Sequence, residues 1–200
     1  MLLTKLKNYH LILATKSPRR HLLMKEAGFM FDIVIPEDIE EKCPEHLSCN
    51  EIPVYLACLK ASWFKGKIND NDIVITADTV VVLNDMVIGK PKNHDEAISM
   101  LHKLNGKSHC VITGVSFLAN HKNKCFSSLS TVYFGNISDE EIDYYIKNFH
   151  PYDKAGAYGA QEWIGYIGID KIEGSYFNVM GLPIQKLYVE LDEFISQNSE

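Results

Sequence analysis

Apolar, β-prone runs alternate with helical segments along the whole of this 200-residue chain. The strongest strand signal is residues 73–83, IVITADTVVVL, after which Asn84 and Asp85 turn the chain back towards Gly89. The other predicted strands are residues 11–14 and 29–35, a hairpin over 109–134 that turns at 120–123, and a Gly-rich stretch over 155–173. The predicted helices cover residues 18–27, 54–65, 94–104, 139–148 and 183–196. This alternation predicts one mixed α/β domain.

Local signals mark where several of these helices begin and end. Asn93 with Glu96, and Ser138 with Glu141, have the spacing of capping boxes, in which each side chain of the pair satisfies a backbone N–H. Gly28 follows the first predicted helix, in a position where a left-handed backbone closes a helix. We therefore expect helices to begin directly after Asn93 and Ser138 and to end just before Gly28.

The charge balance narrows the classes of function. The chain has 26 acidic and 20 basic residues, for a formal net charge of −6. Proteins that bind nucleic acids in general carry a basic surface, so we expect no nucleic-acid partner. The N-terminus has neither a long apolar segment nor a small-residue cleavage site, which predicts no signal peptide, no membrane partner and a cytoplasmic location.

Five cysteines stand at positions 43, 49, 58, 110 and 125, with no CxxC pair. Their number and spacing lead us to expect reduced thiols. Cys43, His46 and Cys49 are evenly spaced, as zinc ligands often are. They lie in an acidic, proline-containing stretch with no evident fourth ligand, so we expect no zinc there.

The segment Ser17-Pro18-Arg19-Arg20 follows the first apolar run. Ser17 fits the N-cap of a helix, and Pro18 fits its first position, where the missing N–H costs nothing. Arg19 and Arg20 then lie in the first turn, where cations are unfavourable unless an anion is bound. Backbone N–H groups and two guanidinium groups together favour a phosphate. The alternative is an ordinary strand–loop–helix with solvated arginines.

Two further segments carry charged residues in unusual surroundings. Asp78 interrupts the most apolar strand, where a carboxylate is costly to bury unless it meets a cation, a proton or a donor. It is a candidate metal ligand or base, or else it caps a turn, while Thr79 beside it either positions a substrate or favours the strand. Lys90 lies between Gly89 and Pro91 and either meets a phosphate or is a solvated turn lysine.

The segment 153–161, DKAGAYGAQ, packs small residues around Lys154 and ends at Gln161. Small residues allow close approach of a backbone or a flat ligand. The Gln161 amide both donates and accepts, as reading the edge of a nucleobase requires. The alternative is a tight β-corner. Asn178, in the loop before the last helix, is expected to brace that loop rather than touch substrate.

Taken together, these segments resemble the Maf family of nucleoside triphosphate pyrophosphatases, over about residues 11–191. Six motifs occur in the family's order: Ser-Pro-Arg-Arg at 17–20, Ala-Asp-Thr-Val-Val at 77–81, Gly-Lys-Pro at 89–91, Thr-Gly-Val at 113–115, Lys-Ala-Gly-Ala-Tyr-Gly at 154–159 and Gly-Leu-Pro at 181–183. The resemblance implies a single domain over residues 1–200, with a twisted central sheet flanked by helices and a cleft between two lobes. It also suggests a homodimer.

The resemblance implies hydrolysis of a nucleoside triphosphate to the monophosphate and pyrophosphate with Mg²⁺ or Mn²⁺. By position, Asp78 matches the catalytic acidic residue, and Glu41 matches an acidic position near the metal. The positions that match phosphate contacts are Ser17, Arg19, Arg20, Lys60 and Lys90. Arg19, Thr79 and Gln161 resemble the branch that prefers dTTP and UTP, or modified pyrimidine nucleotides, over 7-methyl-GTP.

The resulting hypothesis places a divalent cation between Asp78, Glu41 and phosphate oxygens. Metal-activated water, deprotonated by Asp78, attacks the α-phosphorus, and cationic side chains offset the charge of the leaving pyrophosphate. The second hypothesis is a nucleotide-sensing regulatory protein that inhibits septum formation, since the family is also associated with cell-division arrest. Asp78 discriminates between them, because sensing alone needs no catalytic acid.

Overall fold

The computed structural model describes residues 1–37 and 39–196, and its strands form one mixed sheet. Within those ranges the strands are β1 (His10–Leu13), β2 (Asp32–Ile33), β3 (Asp72–Leu83), β4 (Met86–Ile88), β5 (Ser108–Leu118), β6 (Asn123–Phe134) and β7 (Ile169–Glu173). The sheet order is β2-β1-β3-β5-β6-β7, and β4 pairs with β3. The helices are α1 (Leu2–Lys5), α2 (Pro18–Glu26), α3 (Ile52–Ser62), α4 (His94–Leu104), α5 (Asp139–Phe149), α6 (Trp163–Gly168), α7 (Tyr176–Val179) and α8 (Ile184–Ser196).

The chain packs into two compact units, and strands β3, β5 and β6 each contribute to both. Unit 1 consists of Met1–Asp78, Thr113–Ser128 and the chain from Gly181 onward. Unit 2 consists of Thr79–Ile112 and Leu129–Met180. The single domain expected over residues 1–200 stays a prediction.

Unit 1 is built on parallel strands. Strand β1 pairs in parallel with β2 on one side and with β3 on the other. Parallel neighbours need a crossover connection, which α2 and α3 supply. Buried side chains from β1, β3, α3 and β5 form one core cluster: Ile12, Ala14, Ala61, Phe64, Val74 and Leu118. Helix α8 buries Leu187, Leu191 and Phe194, the spacing of one helix face.

Unit 2 has its own apolar core. Helices α4, α5 and α6 bury side chains against β3, β5 and β6 in one cluster that includes Leu101, Val132, Ile142, Tyr145 and Ile164. Strand β7 pairs antiparallel with β6, and β4 pairs antiparallel with β3. The predicted mixed α/β class is confirmed, since parallel and antiparallel pairs share one sheet with helices in the connections.

The capping predictions are confirmed. The Asn93 side chain accepts a hydrogen bond from the Glu96 backbone N–H at the start of α4. Ser138 and Glu141 form a complete capping box at the start of α5. Gly28 follows α2 with a φ of +80°, and its backbone N–H donates to the Lys25 carbonyl. These contacts lie within a few residues, so sequence spacing is sufficient to predict them.

Two strand predictions are wrong. Only Asp32–Ile33 pairs within the strand predicted over residues 29–35. In the predicted Gly-rich strand over 155–173, residues 155–157 and 163–168 are helical and only Ile169–Glu173 is a strand. The backbone at Gly156 and Ala157 has φ of +70° and +59°, which breaks extended structure. The short helices α1 and α7 have no counterpart in the predicted elements.

The expectation of reduced thiols stays a prediction. Cys58 on α3 lies beside Cys125 on β6, with their Cα atoms 7.0 Å apart, which is beyond the usual range for a disulfide. They are 67 residues apart in sequence, and only the packing of α3 beside the sheet brings them together. In the ranges the structure covers, no three or more His, Cys, Asp or Glu side chains are grouped to hold a metal ion.

None of the helices in the described part of the chain combines the length and apolar character that crossing a bilayer requires.

Candidate functional site

The loop before α2 is held by Thr15. The Thr15 hydroxyl accepts a hydrogen bond from the Ser17 backbone N–H at 3.2 Å, and its carbonyl lies 2.9 Å from His21 Nε2. Ser17 is the N-cap residue and Pro18 follows it as predicted, but the Ser17 side chain makes no capping hydrogen bond. The loop at the N-terminus of α2, the positive end of the helix dipole, is therefore held by Thr15 and not by the Ser17 hydroxyl.

Arg20 connects α2 to two other segments of unit 1. Its Nε donates to the Gly181 carbonyl at 2.8 Å, and its Nη1 donates to the Ala77 carbonyl at 2.8 Å. Burial lowers the pKa of Arg20 to about 10, against the opposing effect of the Asp78 charge. The guanidinium is still charged at neutral pH. Arg20 thus holds the backbone of the residue that precedes Asp78.

Two carboxylates converge on one lysine beside this arginine. Lys60 Nζ lies 2.6 Å from Asp78 Oδ1 and 3.1 Å from Glu41 Oε1. The Lys60 and Asp78 side chains are 16% and 15% exposed, so both are largely shielded from water but reachable. Burial and the nearby charges of Asp78 and Glu41 raise the pKa of the Cys43 thiol, which lies in the same loop as Glu41. Unit 1 therefore brings Arg20, Glu41, Lys60 and Asp78 into one cluster.

The position of Lys60 depends on how α3 packs. The Thr76 hydroxyl donates to the Ala57 carbonyl at 2.7 Å, which ties α3 to β3 one turn before Lys60. At the other end of the helix, a Cβ on Gly114 would lie 2.3 Å from the backbone of Pro53. Glycine at 114 thus allows the start of α3 to lie directly on β5. In the sequence, the Thr-Gly-Val motif at 113–115 indicated only a family resemblance. Its glycine was the single sign of this packing role.

Arg19 and Thr79 flank the cluster in sequence and are half-buried. Arg19 lies in the first turn of α2 in unit 1, whereas Thr79 follows Asp78 as the first residue of unit 2.

Lys90 and Gln161 belong to unit 2. Lys90 is exposed, and the carbonyl of the preceding Gly89 accepts a hydrogen bond from the Gly156 N–H at 2.9 Å. Gln161 is half-buried, and its Oε1 is a buried acceptor that receives no hydrogen bond from the described residues. A buried amide oxygen without a donor is costly. Gln161 therefore has an unused acceptor that a ligand could satisfy.

Asn178 acts as the predicted brace. It is fully buried, and its Nδ2 donates to the Val111 carbonyl and to Ser130 Oγ, each at 3.0 Å. Asn178 lies on the short helix α7, so the segment before α8 is fixed to β5 and β6.

The donor set in unit 1 fits a hard divalent cation. Asp78 and Glu41 offer carboxylate oxygens that are both held by a single cation, the Lys60 ammonium. Mg²⁺ is commonly bound through one or two carboxylates, with phosphate oxygens and water as the other ligands. Two carboxylates are thus sufficient when a polyphosphate supplies the rest.

Comparison with known proteins matches most of this chain to one family. The family model described as "Maf-like protein" matches residues 10–194. A dTTP/UTP pyrophosphatase from Phocaeicola vulgatus is 50% identical over 190 residues, which cover 95% of this chain and 98% of the relative. The relatives of the same name from Parabacteroides distasonis and Porphyromonas gingivalis are 49% and 45% identical, over 96% and 98% of this chain and 100% of each relative.

Solved structures show a similar fold. The Staphylococcus aureus Ham1 protein superposes with a TM-score of 0.50 and 14% identity, over 92% of this chain and 99% of that one. A HAM1 protein from Coxiella burnetii gives the same TM-score at 13% identity, again over 92% of this chain and 99% of the other. At such identity the likeness concerns the fold alone.

Proposed function

Since the chain belongs to the Maf-like protein family, we propose that it hydrolyses dTTP and UTP, or modified pyrimidine nucleotides, to the monophosphate and pyrophosphate. The observation that carries the proposal is 45–50% identity, over nearly the whole chain, to relatives named dTTP/UTP pyrophosphatase. The cluster of Arg20, Glu41, Lys60 and Asp78 in unit 1 supports it, because phosphoryl transfer depends mainly on positioning and on electrostatic stabilisation.

Asp78 is the general base of this proposal. Its carboxylate accepts a proton from the water whose oxygen forms a bond to the α-phosphorus, while the bond from that phosphorus to the bridging oxygen breaks. Arg20 holds the adjacent Ala77 carbonyl and so fixes where the carboxylate stands. Loss of a positioned general base lowers a rate by about 10²–10⁴-fold.

Cationic side chains offset the charge of the substrate and of the pyrophosphate that leaves. We assign this role to Arg19, Arg20, Lys60 and Lys90, with the Ser17 hydroxyl as a further phosphate contact. Lys60 is paired with Asp78 and Glu41 in the structure, so it reaches a phosphate only by sharing or leaving these carboxylates. A divalent cation, Mg²⁺ or Mn²⁺, held by Asp78 and Glu41 would neutralise phosphate charge and make water more acidic.

Base selection is assigned to Arg19, Thr79 and Gln161. The unsatisfied Oε1 of Gln161 supports this, because a wrong base would leave that acceptor, or a donor of the base, unpaired. Discrimination through such a hydrogen bond is stronger than through shape alone.

The proposal is tested by measuring pyrophosphate release from dTTP, UTP, CTP, GTP and 7-methyl-GTP with Mg²⁺ or Mn²⁺. Wild type is compared with Asp78→Asn and with the control Asp95→Asn, whose side chain is 99% exposed. We expect turnover of dTTP and UTP in wild type and the control, and a kcat about 10²–10⁴-fold lower in Asp78→Asn. Near-normal turnover in Asp78→Asn would remove that residue from the mechanism. Binding of nucleotide without any turnover would favour the regulatory hypothesis.

A further inference from the structure

Unit 2 contains a buried hydrogen-bonded network that the proposed reaction does not use. Lys154 is only 7% exposed, and its Nζ lies 3.0 Å from Glu162 Oε1 and 2.7 Å from Asp153 Oδ1. The other oxygen of Glu162 accepts a short hydrogen bond from the Tyr145 hydroxyl. Tyr145 lies on α5 and is fully buried. The network therefore runs from α5 through Glu162 to Lys154.

This network closes on the segment that carries Gln161. The Tyr145 hydroxyl accepts a hydrogen bond from the Gly159 backbone N–H at 3.1 Å, and the Glu162 N–H donates to the Gly159 carbonyl at 2.9 Å. A Cβ on Gly159 would lie 2.8 Å from the Glu162 carboxyl carbon and 2.9 Å from Gln161 Nε2. The Glu162 carboxylate and the Gln161 amide thus both lie against the bare Cα of Gly159.

The protonation of Tyr145 agrees with this arrangement. Burial and the hydrogen bond to Glu162 raise the pKa of the Tyr145 phenol well above its usual range, so the hydroxyl keeps its proton and donates it to the carboxylate. Its oxygen lone pairs remain available for the Gly159 N–H. The Tyr145 hydroxyl thus donates to Glu162 and accepts from Gly159, so its orientation is fixed.

Holding a turn with a buried lysine, carboxylate and phenol costs free energy, because each polar group loses its hydration. An apolar set of similar volume would fill the same space. What the polar network adds is direction, because it fixes the Gly159 N–H and the Glu162 carboxylate on either side of Gln161 in the sequence.

We propose that Tyr145, Glu162 and Lys154 are positioning residues that orient the Gln161 amide for recognition of the pyrimidine edge. This inference rests on the proposed function, in which Gln161 contacts the base. The residues act through Gln161 and do not touch the reacting phosphates.

The test compares UTP with CTP, which share a sugar and differ only at the hydrogen-bonding edge of the base. Tyr145→Phe removes one hydroxyl and keeps the ring. We expect the UTP-over-CTP ratio of kcat/KM to fall about tenfold, the effect of one hydrogen bond, through a higher KM for UTP with kcat within about twofold. The matched control is Tyr144→Phe on the same helix, whose ring is 49% exposed, and it should leave the ratio unchanged.

A double-mutant cycle separates positioning from general loss of stability. In a Gln161→Ala background, Tyr145→Phe should lower the UTP-over-CTP ratio no further, because the group it orients is already absent. Gly159→Ala, whose added Cβ would press on the Gln161 amide and the Glu162 carboxylate, should lower the ratio as Tyr145→Phe does and serves if that variant does not fold.

Three results would overturn the inference. One is an unchanged UTP-over-CTP ratio in the folded Tyr145→Phe and Gly159→Ala variants, and another is an additive loss in the double mutant. The third is an unchanged ratio in Gln161→Ala alone. A wild type that hydrolyses neither nucleotide contradicts the proposed function itself, and the inference falls with it. Wild-type turnover with no selectivity change in the variants contradicts the inference alone.

Discussion

At the scale of single residues, Arg20 joins α2 to two other segments of unit 1. Arg20 directs its Nε and Nη1 groups at the carbonyls of Gly181 and Ala77. Arg19 precedes it in the first helical turn and is half-buried. The sequence predicted both as phosphate contacts, and for Arg20 the structure adds a bracing role. The backbone at both Ala77 and Gly181 is therefore held by one guanidinium.

Arg20→Lys should weaken both stability and catalysis. A lysine ammonium cannot reproduce the planar set of donors that meets two separate carbonyls, and each buried carbonyl left without a donor costs about 1–3 kcal/mol. We expect the free energy of unfolding in urea to fall by about 2–4 kcal/mol, with kcat/KM for dTTP reduced at least tenfold. Equal unfolding free energies for Arg20→Lys and wild type would contradict the bracing role.

At the scale of secondary-structure elements, the site depends on the packing of α3 on the sheet. Lys60 lies in the last turn of α3, so its distance from Asp78 follows from where that helix begins. Gly114 on β5 lets the first turn of α3 approach without a side chain between them. Helix α3 is thus held on the sheet by its close approach to Gly114 on β5 and by the hydrogen bond from Thr76 on β3.

Gly114→Ala should therefore displace α3. The added Cβ would overlap the backbone of Pro53 and Val54, which has no flexible end to move aside. We expect a loss of about 3 kcal/mol in the free energy of unfolding, together with a lower kcat as Lys60 shifts. Gly89→Ala is the control, because a Cβ there has nothing within 4 Å, and its unfolding free energy should stay within about 0.5 kcal/mol of wild type. A fully stable and active Gly114→Ala would contradict this account of α3.

The elements show why part of the fold could be predicted from the sequence. The starts of α4 and α5 follow from Asn93 and Ser138, whose capping partners are three residues away. The segment after Lys154 could not be read in this way, because its turns depend on Glu162 and on Tyr145 from another helix. The small residues there resembled a strand in composition, yet tertiary hydrogen bonds decided their backbone.

The same limit applies to the candidate site. The sequence singled out Asp78 because a carboxylate is unusual in an apolar strand, whereas only family resemblance pointed to Lys60 and Glu41. Nothing in local spacing shows that the Lys60 side chain meets both carboxylates, since that contact depends on α3, β3 and the loop of Glu41 packing together.

At the scale of the whole molecule, two histidines make the free energy of unfolding depend on pH in opposite directions. His109 is buried, and His10 is paired with two carboxylates. Burial lowers the pKa of His109 to about 4, and its Nε2 lies 2.7 Å from the Tyr158 hydroxyl. Hydrogen bonds to Asp32 and Asp72 raise the pKa of His10. His109 therefore destabilises the fold as pH falls from about 6.5 towards 4. The contribution of His10 is present below about 6.5 and is lost as pH rises through its folded pKa.

Acid sensitivity should decrease in a His109→Gln variant, which keeps a neutral polar group but cannot gain the charge. The His109 effect amounts to about 1.4 kcal/mol per pH unit between its unfolded and folded pKa values. We measure the free energy of unfolding in urea for both proteins. The wild-type value minus the variant value should fall by about 2 kcal/mol from pH 6.5 to pH 5. Parallel pH profiles for the two proteins would contradict a buried neutral His109.

The central claim concerns which phosphorus atom is attacked, and oxygen isotope transfer tests it most directly. Wild-type protein is incubated with dTTP and a divalent cation in water enriched in ¹⁸O, and the products are separated and weighed by mass spectrometry. The account predicts one ¹⁸O atom in dTMP and none in pyrophosphate, because the water oxygen bonds to the α-phosphorus. Label in pyrophosphate, formation of dTDP and phosphate, or no turnover would contradict it.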